Sequence, residues 1–320
     1  MKSMGFKAAT SRITVTLALL GTAVLAMADP GRQVNFEWLH AIALAAHQTN
    51  YSGTFVHQYG NRLETSNITH VFDQSGEQVK LKKQNSSDCE VTHNNSEILC
   101  YSGKKNAQRR FGTDRKVFPV LLPEQLATLN ENYLIRIGES ANVAGFDTQV
   151  VELRPKDNLR YSHKMWAHKD SGLLLKAAVL SDRQEVVEQY TFVQLKITSN
   201  NKQAGLPSKP LAPPQAPAVL SESVWKVDAL PLGFKKVTEL RRPMRGKKGI
   251  ATQLVFSDGL VGISVFIENR ADNPDSTLGL SSEGAIHIYS KLSGDYLVTV
   301  VGEVPPSTVL QVADSVRNRG

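Results

Sequence analysis

YSHKMWAHKDSGLLLKAAVLSDRQEVVEQYTFVQLKI, residues 161–197, decides the fold class because it places strand-like runs on either side of short polar turns. Residues 169–172 and 181–184 contain the aspartate, serine and glycine that tight turns prefer. In the last run four apolar residues share one parity: Val187, Val193, Leu195 and Ile197. A shared parity indicates a strand with one buried face, so we predict an antiparallel meander.

The segments upstream extend this pattern. Residues 50–73, NYSGTFVHQYGNRLETSNITHVFD, predict two strands, and the turn at 73–76 leads into another. A helix capped by Asn35 precedes them, and a second helix is predicted to begin at Pro123, where proline fits the first helical position. Two helices against a long meander predict an α+β fold, in which a half-barrel of antiparallel strands holds the helices over an apolar cavity.

A proline-rich stretch divides the chain. Residues 199–221 contain five prolines and few large apolar residues, which is typical of a semi-rigid linker. We therefore predict a half-barrel domain over 29–198 and a smaller α+β domain, with a sheet of about four to six strands, over 222–320. In the second domain Asp258-Gly259 predicts a tight turn. Its final helix is predicted to carry one apolar face, consisting of Val309, Val312, Ala313 and Val316.

The N-terminus has the layout of a secretory signal peptide. A basic start leads into the apolar run 13–25, and Ala26-Met27-Ala28 predicts cleavage after Ala28, which removes residues 1–28. A membrane anchor is the alternative, but spanning a bilayer needs about 20 apolar residues. Cleavage removes three basic residues and lowers the formal charge from +7 to +4. This mild basicity does not favour nucleic acid but is compatible with an acidic peptide or an anionic surface.

The two cysteines, Cys89 and Cys100, could form a redox centre, a metal site or a disulfide. Export favours a disulfide, because the compartment is oxidising, C-x-x-C is absent and two cysteines alone make a poor zinc site. If Asn94 and Asn95 are the central turn residues of a hairpin, Cys89 faces Cys100 with Cα atoms about 5.5 Å apart. That separation lies within disulfide range, and we predict a structural cross-strand disulfide.

No catalytic motif stands out. The sequence contains no phosphate-binding glycine loop, no G-x-S-x-G and no H-E-x-x-H. His163 and His168 would lie on opposite faces of a strand. His57 and His70 could meet across strands, but no cysteine or carboxylate spacing supports a metal there. We predict no catalytic residues, no metal, no cofactor and no transmembrane span in the mature protein.

Two basic clusters are visible, one at residues 104–110 and one in RRPMRGKK, residues 241–248. One interpretation is a solvated loop. The other is contact with an acidic peptide or with lipid phosphates, because the guanidinium group binds carboxylate and phosphate bidentately. From the second cluster we predict Arg241, Arg242 and Arg245 as partner-binding residues.

Several segments together resemble the MucB/RseB family of periplasmic sigma-E regulators. The segments occur in order on both sides of the linker: NYSGTFVHQYGNRLETSNITHVFD, LLPEQLATLNENY, LRPKDNLRYSHKMWAHKDSGLLLKAAVLSDRQEVVEQYTF, LPLGF, RRPM, FSDGLVGISVFIE and VTVVGEVPPSTVLQVADSV. None is a catalytic motif, and the resemblance rests on their order and coverage. Arg241 and Arg242 match the family's RRP(M/L) element.

The resemblance implies a fold and a function. The family's N-terminal domain is similar to periplasmic lipoprotein carriers, and a smaller C-terminal domain follows. Family members are not enzymes. They bind the periplasmic part of a membrane-anchored anti-sigma factor, hide it from a regulated protease, and are thought to be released by mislocalised lipopolysaccharide or related lipid. A periplasmic lipid or lipoprotein carrier is the alternative function, and self-association is left open.

Overall fold

The computed structural model of the chain describes residues 30–74, 76–84, 90–94, 97–102, 107–111, 126–198, 224–243 and 249–319. The predicted signal peptide 1–28 with Ala28, the predicted linker 199–221 and Arg245 lie outside the described residues. These three expectations therefore stay predictions.

Within the described residues, the N-terminal part contains two helices and an eleven-stranded sheet. The helices are α1 (Pro30–Gln48) and α2 (Leu126–Asn132). The strands are β1 (Asn50–Tyr59), β2 (Arg62–Asp73), β3 (Gly76–Lys83), β4 (Glu90–Asn94), β5 (Glu97–Ser102), β6 (Ala107–Phe111), β7 (Tyr133–Val143), β8 (Phe146–Pro155), β9 (Ser162–His168), β10 (Leu174–Leu180) and β11 (Val186–Thr198). Their order in the sheet is β6-β5-β4-β3-β2-β1-β11-β10-β9-β8-β7, and all neighbours are antiparallel.

The helices lie against one face of this sheet. Leu39 and Ile42 on α1 and Leu129 on α2 are fully buried or nearly so, in one cluster with Met165 and Phe192 from the sheet. Strand β7 contacts β11 although three strands separate them in the sheet, so this end of the sheet curls. The predicted α+β half-barrel of antiparallel strands around helices is confirmed.

Two local predictions are wrong. Helix α1 begins at Pro30 rather than after Asn35, because proline at the first helical position costs no backbone hydrogen bond. The shared parity in β11 is broken at Val193, where the register with β1 shifts at a bulge. The extra residue leaves Val193 51% exposed and places Phe192 in the core.

Of the C-terminal part, residues 224–243 and 249–319 are described, and they form a six-stranded sheet and a two-stranded ribbon around one helix. Its elements are β12 (Trp225–Val227), β13 (Lys235–Pro243), β14 (Ile250–Ser257), β15 (Gly262–Asn269), a 3₁₀ turn (Arg270–Asp272), β16 (Gly279–Glu283), β17 (Ile286–Ser293), β18 (Tyr296–Gly302), α3 (Pro306–Asp314) and β19 (Val316–Asn318). The sheet order is β13-β14-β15-β18-β17-β16, and β12 pairs with β19.

Helix α3 covers one face of the six-stranded sheet, over β17 and β18. Val309, Val312 and Ala313 are buried as predicted. Val316 is also buried, but it begins β19, because the helix ends at Asp314. The predicted second α+β domain is confirmed in class, and its six-stranded sheet agrees with the predicted four to six strands.

The hairpin that carries the cysteines has a different register from the predicted one. Asn94 pairs with Glu97 and is therefore the last paired residue of β4 rather than a turn residue. Cys100 consequently faces Val91. Asparagine without a following glycine is a weak type I′ signal, which is why the turn position was missed. Cys89 lies outside the described residues, so the disulfide stays a prediction.

Mass spectrometry tests the disulfide directly. We expect the mature protein to gain about two daltons on reduction and to react with no thiol reagent before it, because both cysteines are oxidised in an oxidising compartment. Alkylation of either Cys89 or Cys100 in unreduced protein isolated from the periplasm would contradict the prediction. Protein kept reduced throughout purification serves as the control for reagent access.

Candidate functional site at the domain interface

The two parts of the structure meet at one end of the C-terminal sheet. The C-terminal side contributes the turn at 231–234, the β14–β15 turn, the β16–β17 turn and the start of α3. Thr308 at the start of α3, for example, donates a hydrogen bond to the Leu159 carbonyl at 2.9 Å. The interface is therefore built from turns, and two carboxylates organise it.

The first carboxylate, Asp258, lies in the β14–β15 turn, and its side chain is fully buried. Its Oδ1 accepts hydrogen bonds from the backbone N–H groups of Leu260 and Val261, both at 3.0 Å. These bonds fix the turn and aim Oδ2 at the other domain. There Oδ2 accepts from Arg160 Nε at 2.8 Å and from the Tyr133 hydroxyl at 2.9 Å. All four bonds satisfy the buried charge.

Arg160 is equally well satisfied. Its guanidinium also donates to the Leu232 carbonyl of the C-terminal part and to Asp157 beside it. The guanidinium carbon lies 5.1 Å from the centre of the Phe234 ring, a cation–π distance. Burial and the neighbouring Asp258 raise the pKa of Tyr133 well above its usual value, so its hydroxyl remains a donor. A complete buried ion pair thus joins the domains.

The second carboxylate, Glu188 on β11, is 8% exposed. Its Oε1 accepts from His57 Nε2 at 2.7 Å and from the Tyr190 hydroxyl at 3.0 Å. Its Oε2 accepts from the Ala285 N–H across the interface at 2.9 Å. Burial acts to raise the pKa of Glu188, but these hydrogen bonds outweigh it and the pKa is lowered. Glu188 therefore stays ionised and holds the β16–β17 turn.

Two of the interface turns carry a glycine that lies close to the other domain. Gly233 has φ +84°, and a Cβ there would lie 2.3 Å from the Asn132 amide. Gly284 has φ +60°, and a Cβ there would lie 2.6 Å from Glu188 Oε2. Both turns need glycine for the left-handed backbone and for the close approach. The two domains can therefore approach this closely only because residues 233 and 284 are glycines.

The predicted arginines do not form one patch. Arg241 and Arg242 are exposed on β13 and pair with Thr252 and Ala251. Successive strand residues point to opposite faces, so the two guanidinium groups lie on different sides of the sheet. Within the described residues β13 is an edge strand, and Lys235 and Lys236 on it are also exposed. The exposed positive charges therefore lie along the edge of the sheet, on both of its faces.

His57 and His70 each contact a carboxylate rather than each other. His57 contacts Glu188, and His70 contacts Glu77 on β3. In the portions of the chain that the structure describes, no group of three or more His, Cys, Asp or Glu side chains is arranged to hold a metal ion. No helix in those portions is long and apolar enough to cross a membrane.

Sequence reasoning missed the interface residues. The sequence explains Asp258 by its tight turn and assigns no role to Arg160 or Glu188. The sequence does contain one signal for Glu188, which interrupts the strand-like run EVVEQYTF, residues 185–192. A charged side chain within a half-buried strand must be either paired or exposed.

Comparison with known proteins gives consistent matches over both parts. The model of the MucB/RseB N-terminal domain matches residues 35–211, and that of the MucB/RseB C-terminal domain matches 219–317. The sigma factor AlgU regulatory protein MucB of Pseudomonas aeruginosa is 29% identical, over 96% of this chain and 98% of that protein. The sigma-E factor regulatory protein RseB of Escherichia coli K12 is 24% identical, over 87% of this chain and 89% of that protein.

Solved structures agree. In the complex structure of Pseudomonas aeruginosa MucA/MucB, a chain 26% identical in sequence superposes with a TM-score of 0.68, over 90% of this chain and 99% of that chain. The crystal structure of MucB gives a TM-score of 0.63 at 27% identity, over 91% of this chain and all of that chain. With both halves matched in order and in fold, the chain belongs to the MucB/RseB family.

Proposed function

We propose that this protein is a periplasmic regulator that binds the periplasmic segment of a membrane-anchored anti-sigma factor and so restrains the sigma-E envelope-stress response. The observation that carries the proposal is the match to the MucA/MucB complex, which covers 99% of the chain of known structure and therefore includes both domains. The names of the relatives, regulators of AlgU and of sigma-E, support the same role.

The protein acts by binding rather than by catalysis. The bound segment is shielded from the regulated protease that begins its degradation, and envelope lipid such as mislocalised lipopolysaccharide releases it. Lipid can displace the segment only if the two ligands favour different arrangements of the protein. The predicted linker 199–221 between the domains 29–198 and 222–320 has the length and composition to allow such a rearrangement.

The basic edge of the C-terminal sheet is the proposed contact for acidic side chains of the partner. Arg241 and Arg242 are both exposed there, and Arg245 follows in sequence. Guanidinium groups on two faces of one strand suit a segment that passes around the edge rather than one lying on a single face. Such exposed charges act mainly on association rate and on salt dependence.

A cleavage assay tests the proposal. We expect the purified mature protein to slow proteolysis of the anti-sigma periplasmic segment, and the double variant Arg241→Glu/Arg242→Glu to bind it about ten-fold more weakly, about 1.4 kcal/mol. Arg183→Glu, an exposed arginine in the β10–β11 turn, is the matched control and should bind normally. Unchanged cleavage with saturating protein would refute the function, whereas normal binding by the double variant would refute only the contact.

A further inference from the structure

Strand β13 (Lys235–Pro243) is an edge strand of the C-terminal sheet within the described residues, where its ladder partner is β14. The pairing is unbroken from Thr238 to Pro243, beyond a bulge at Val237. An edge strand directs the backbone N–H and C=O groups of every second residue away from the sheet, where another extended chain can bind them. The outer side of β13 is therefore a candidate site for an added strand.

The hydrogen bonds of β14 determine which residues of β13 direct their backbone outward. At the turn after β14, the Asp258 N–H donates to the Val261 carbonyl at 3.3 Å. Backbone direction alternates along an antiparallel strand, so the even-numbered residues of β14 face β15 and the odd-numbered ones, including Ala251, face β13. Ala251 pairs with Arg242. The backbone of Arg242 therefore faces β14, and that of Arg241 points outward.

Pro243 agrees with this assignment. It shares the parity of Arg241 in an unbroken stretch of pairing, so the N–H that proline lacks would also point outward. Proline occurs in edge strands where that position faces away from the neighbouring strand. Arg241 thus directs both its N–H and its carbonyl outward, the two groups that one residue of an added strand bonds in a close antiparallel pair.

The charge of this edge favours an acidic partner. Lys235, Lys236, Arg241 and Arg242 are all exposed on β13. The one carboxylate of the strand, Glu239, is only 7% exposed and accepts a hydrogen bond from Lys236 Nζ at 3.0 Å. Its negative charge is therefore largely withdrawn from the surface, and the edge presents positive charge to an approaching chain.

Two other edge strands differ from β13 in charge. Strand β7 has one exposed residue of each sign, Arg136 and Glu139, and the one charged residue of β16 is Glu283. A second copy of β13 is a poor partner, because like charges facing each other across a strand pair are destabilising. The lysines that keep edge strands from pairing with one another thus leave an acidic chain as the favoured occupant.

We propose that β13 binds an acidic stretch of the partner's periplasmic segment as an added strand, bonded to the backbone of Arg241. The inference rests on the proposed function, whose partner it retains, and specifies how the basic edge recognises that partner. Successive side chains of a strand point to opposite faces, so two adjacent acidic residues of the segment reach the Arg241 and Arg242 guanidinium groups, one on each face. The main-chain bonds supply affinity and the paired charges supply specificity.

Amide hydrogen exchange in the ¹⁵N-labelled mature protein, read by nuclear magnetic resonance, tests the added strand. Without partner, the Arg241 amide should exchange faster than those of Leu240 and Arg242, because only the latter two bond to β14. The probe is the unlabelled periplasmic segment of the anti-sigma factor. At a free concentration of about ten times its Kd, exchange at Arg241 should slow about ten-fold, because only the unbound fraction remains open to solvent.

Two variants of Arg241 separate the backbone bond from the charge. Arg241→Gln removes the guanidinium and keeps the N–H, whereas Arg241→Pro removes both. The segment should bind Arg241→Pro about ten-fold more weakly than Arg241→Gln, the effect of one hydrogen bond. Both variants should unfold at similar urea concentrations, because the outward N–H is not part of the β13–β14 ladder.

Two results would overturn the inference and leave the proposed function standing. One is a segment that binds without slowing exchange at Arg241, and the other is equal binding by Arg241→Gln and Arg241→Pro. No binding by the unmutated protein at saturating concentration would overturn both the inference and the proposed function. The exchange measurement uses the unmutated chain, so it decides the question even if Arg241→Pro does not fold.

Discussion

Replacing Asp258 with alanine is expected to lower the free energy of unfolding by about 3–5 kcal/mol, the usual cost of removing one member of a buried ion pair. The cost arises because the Arg160 guanidinium, with a side chain 1% exposed, stays in the interface without its counter-ion. The Tyr133 hydroxyl loses its acceptor at the same time. Because the pair spans the interface, the domains should also separate more easily.

Urea unfolding followed by tryptophan fluorescence and by circular dichroism measures both effects. We expect Asp258→Ala to split a shared transition into two, one for each domain. Glu283→Ala is the control, because the Arg62–Glu283 pair also spans the interface but is exposed, 73% and 66%, with 3.7 Å between its charged atoms. Exposed pairs contribute little. An equally small effect for both variants would show that Asp258 does not hold the domains together.

Replacing Gly284 with alanine is expected to force the β16–β17 turn away from the N-terminal domain. The added Cβ would lie 2.6 Å from Glu188 Oε2 and 2.9 Å from Tyr59 Cβ, and the second neighbour cannot rotate away. The left-handed backbone adds about 1–2 kcal/mol of strain and the overpacking about 1–3 kcal/mol. The Ala285 N–H should then lose its bond to Glu188.

Gly294 offers a closely matched control for this variant. It opens the two-residue turn between β17 and β18 with φ +58°, and a Cβ there would have no atom within 4 Å. Gly294→Ala should therefore show the backbone strain alone. Hydrogen exchange at Ala285 and the radius of gyration from X-ray scattering should change only in Gly284→Ala. If both variants behave alike, close approach at Gly284 does not position the domains.

Much of the fold could be predicted because strands and turns leave local signals. Periodicity located the meander, whereas the division of the chain at the proline-rich residues 199–221 stays a prediction. The register of strand pairing was harder to predict, because one inserted residue moves every side chain beyond it to the opposite face of the sheet. The bulge at Val193 and the pairing of Asn94 with Glu97 are set by the neighbouring strand, and neither strand alone reveals them.

The interface could not be predicted in the same way, because its contacts join residues far apart in sequence. Asp258 meets Arg160 and Tyr133, and nothing near any of them in sequence requires the others. Asp258-Gly259 also has a sufficient local explanation as a turn, which concealed its second role. The resemblance to a family identified the class of partner but not these contacts.

The position of β1 between β2 and β11 has a consequence for the order in which the domain folds. Asn50 on β1 pairs with Thr198 on β11. One edge of β1 can pair with β2 early, but the other edge stays unpaired until β11, the last strand of this sheet in the chain, is present. Sheets closed by such distant pairings fold slowly and expose apolar surface meanwhile. Phe55, which packs edge-on against Phe192 in the folded domain, stays uncovered until β11 has been synthesised and has paired with β1. A chain interrupted before residue 186 would therefore expose apolar surface and be prone to aggregation and proteolysis.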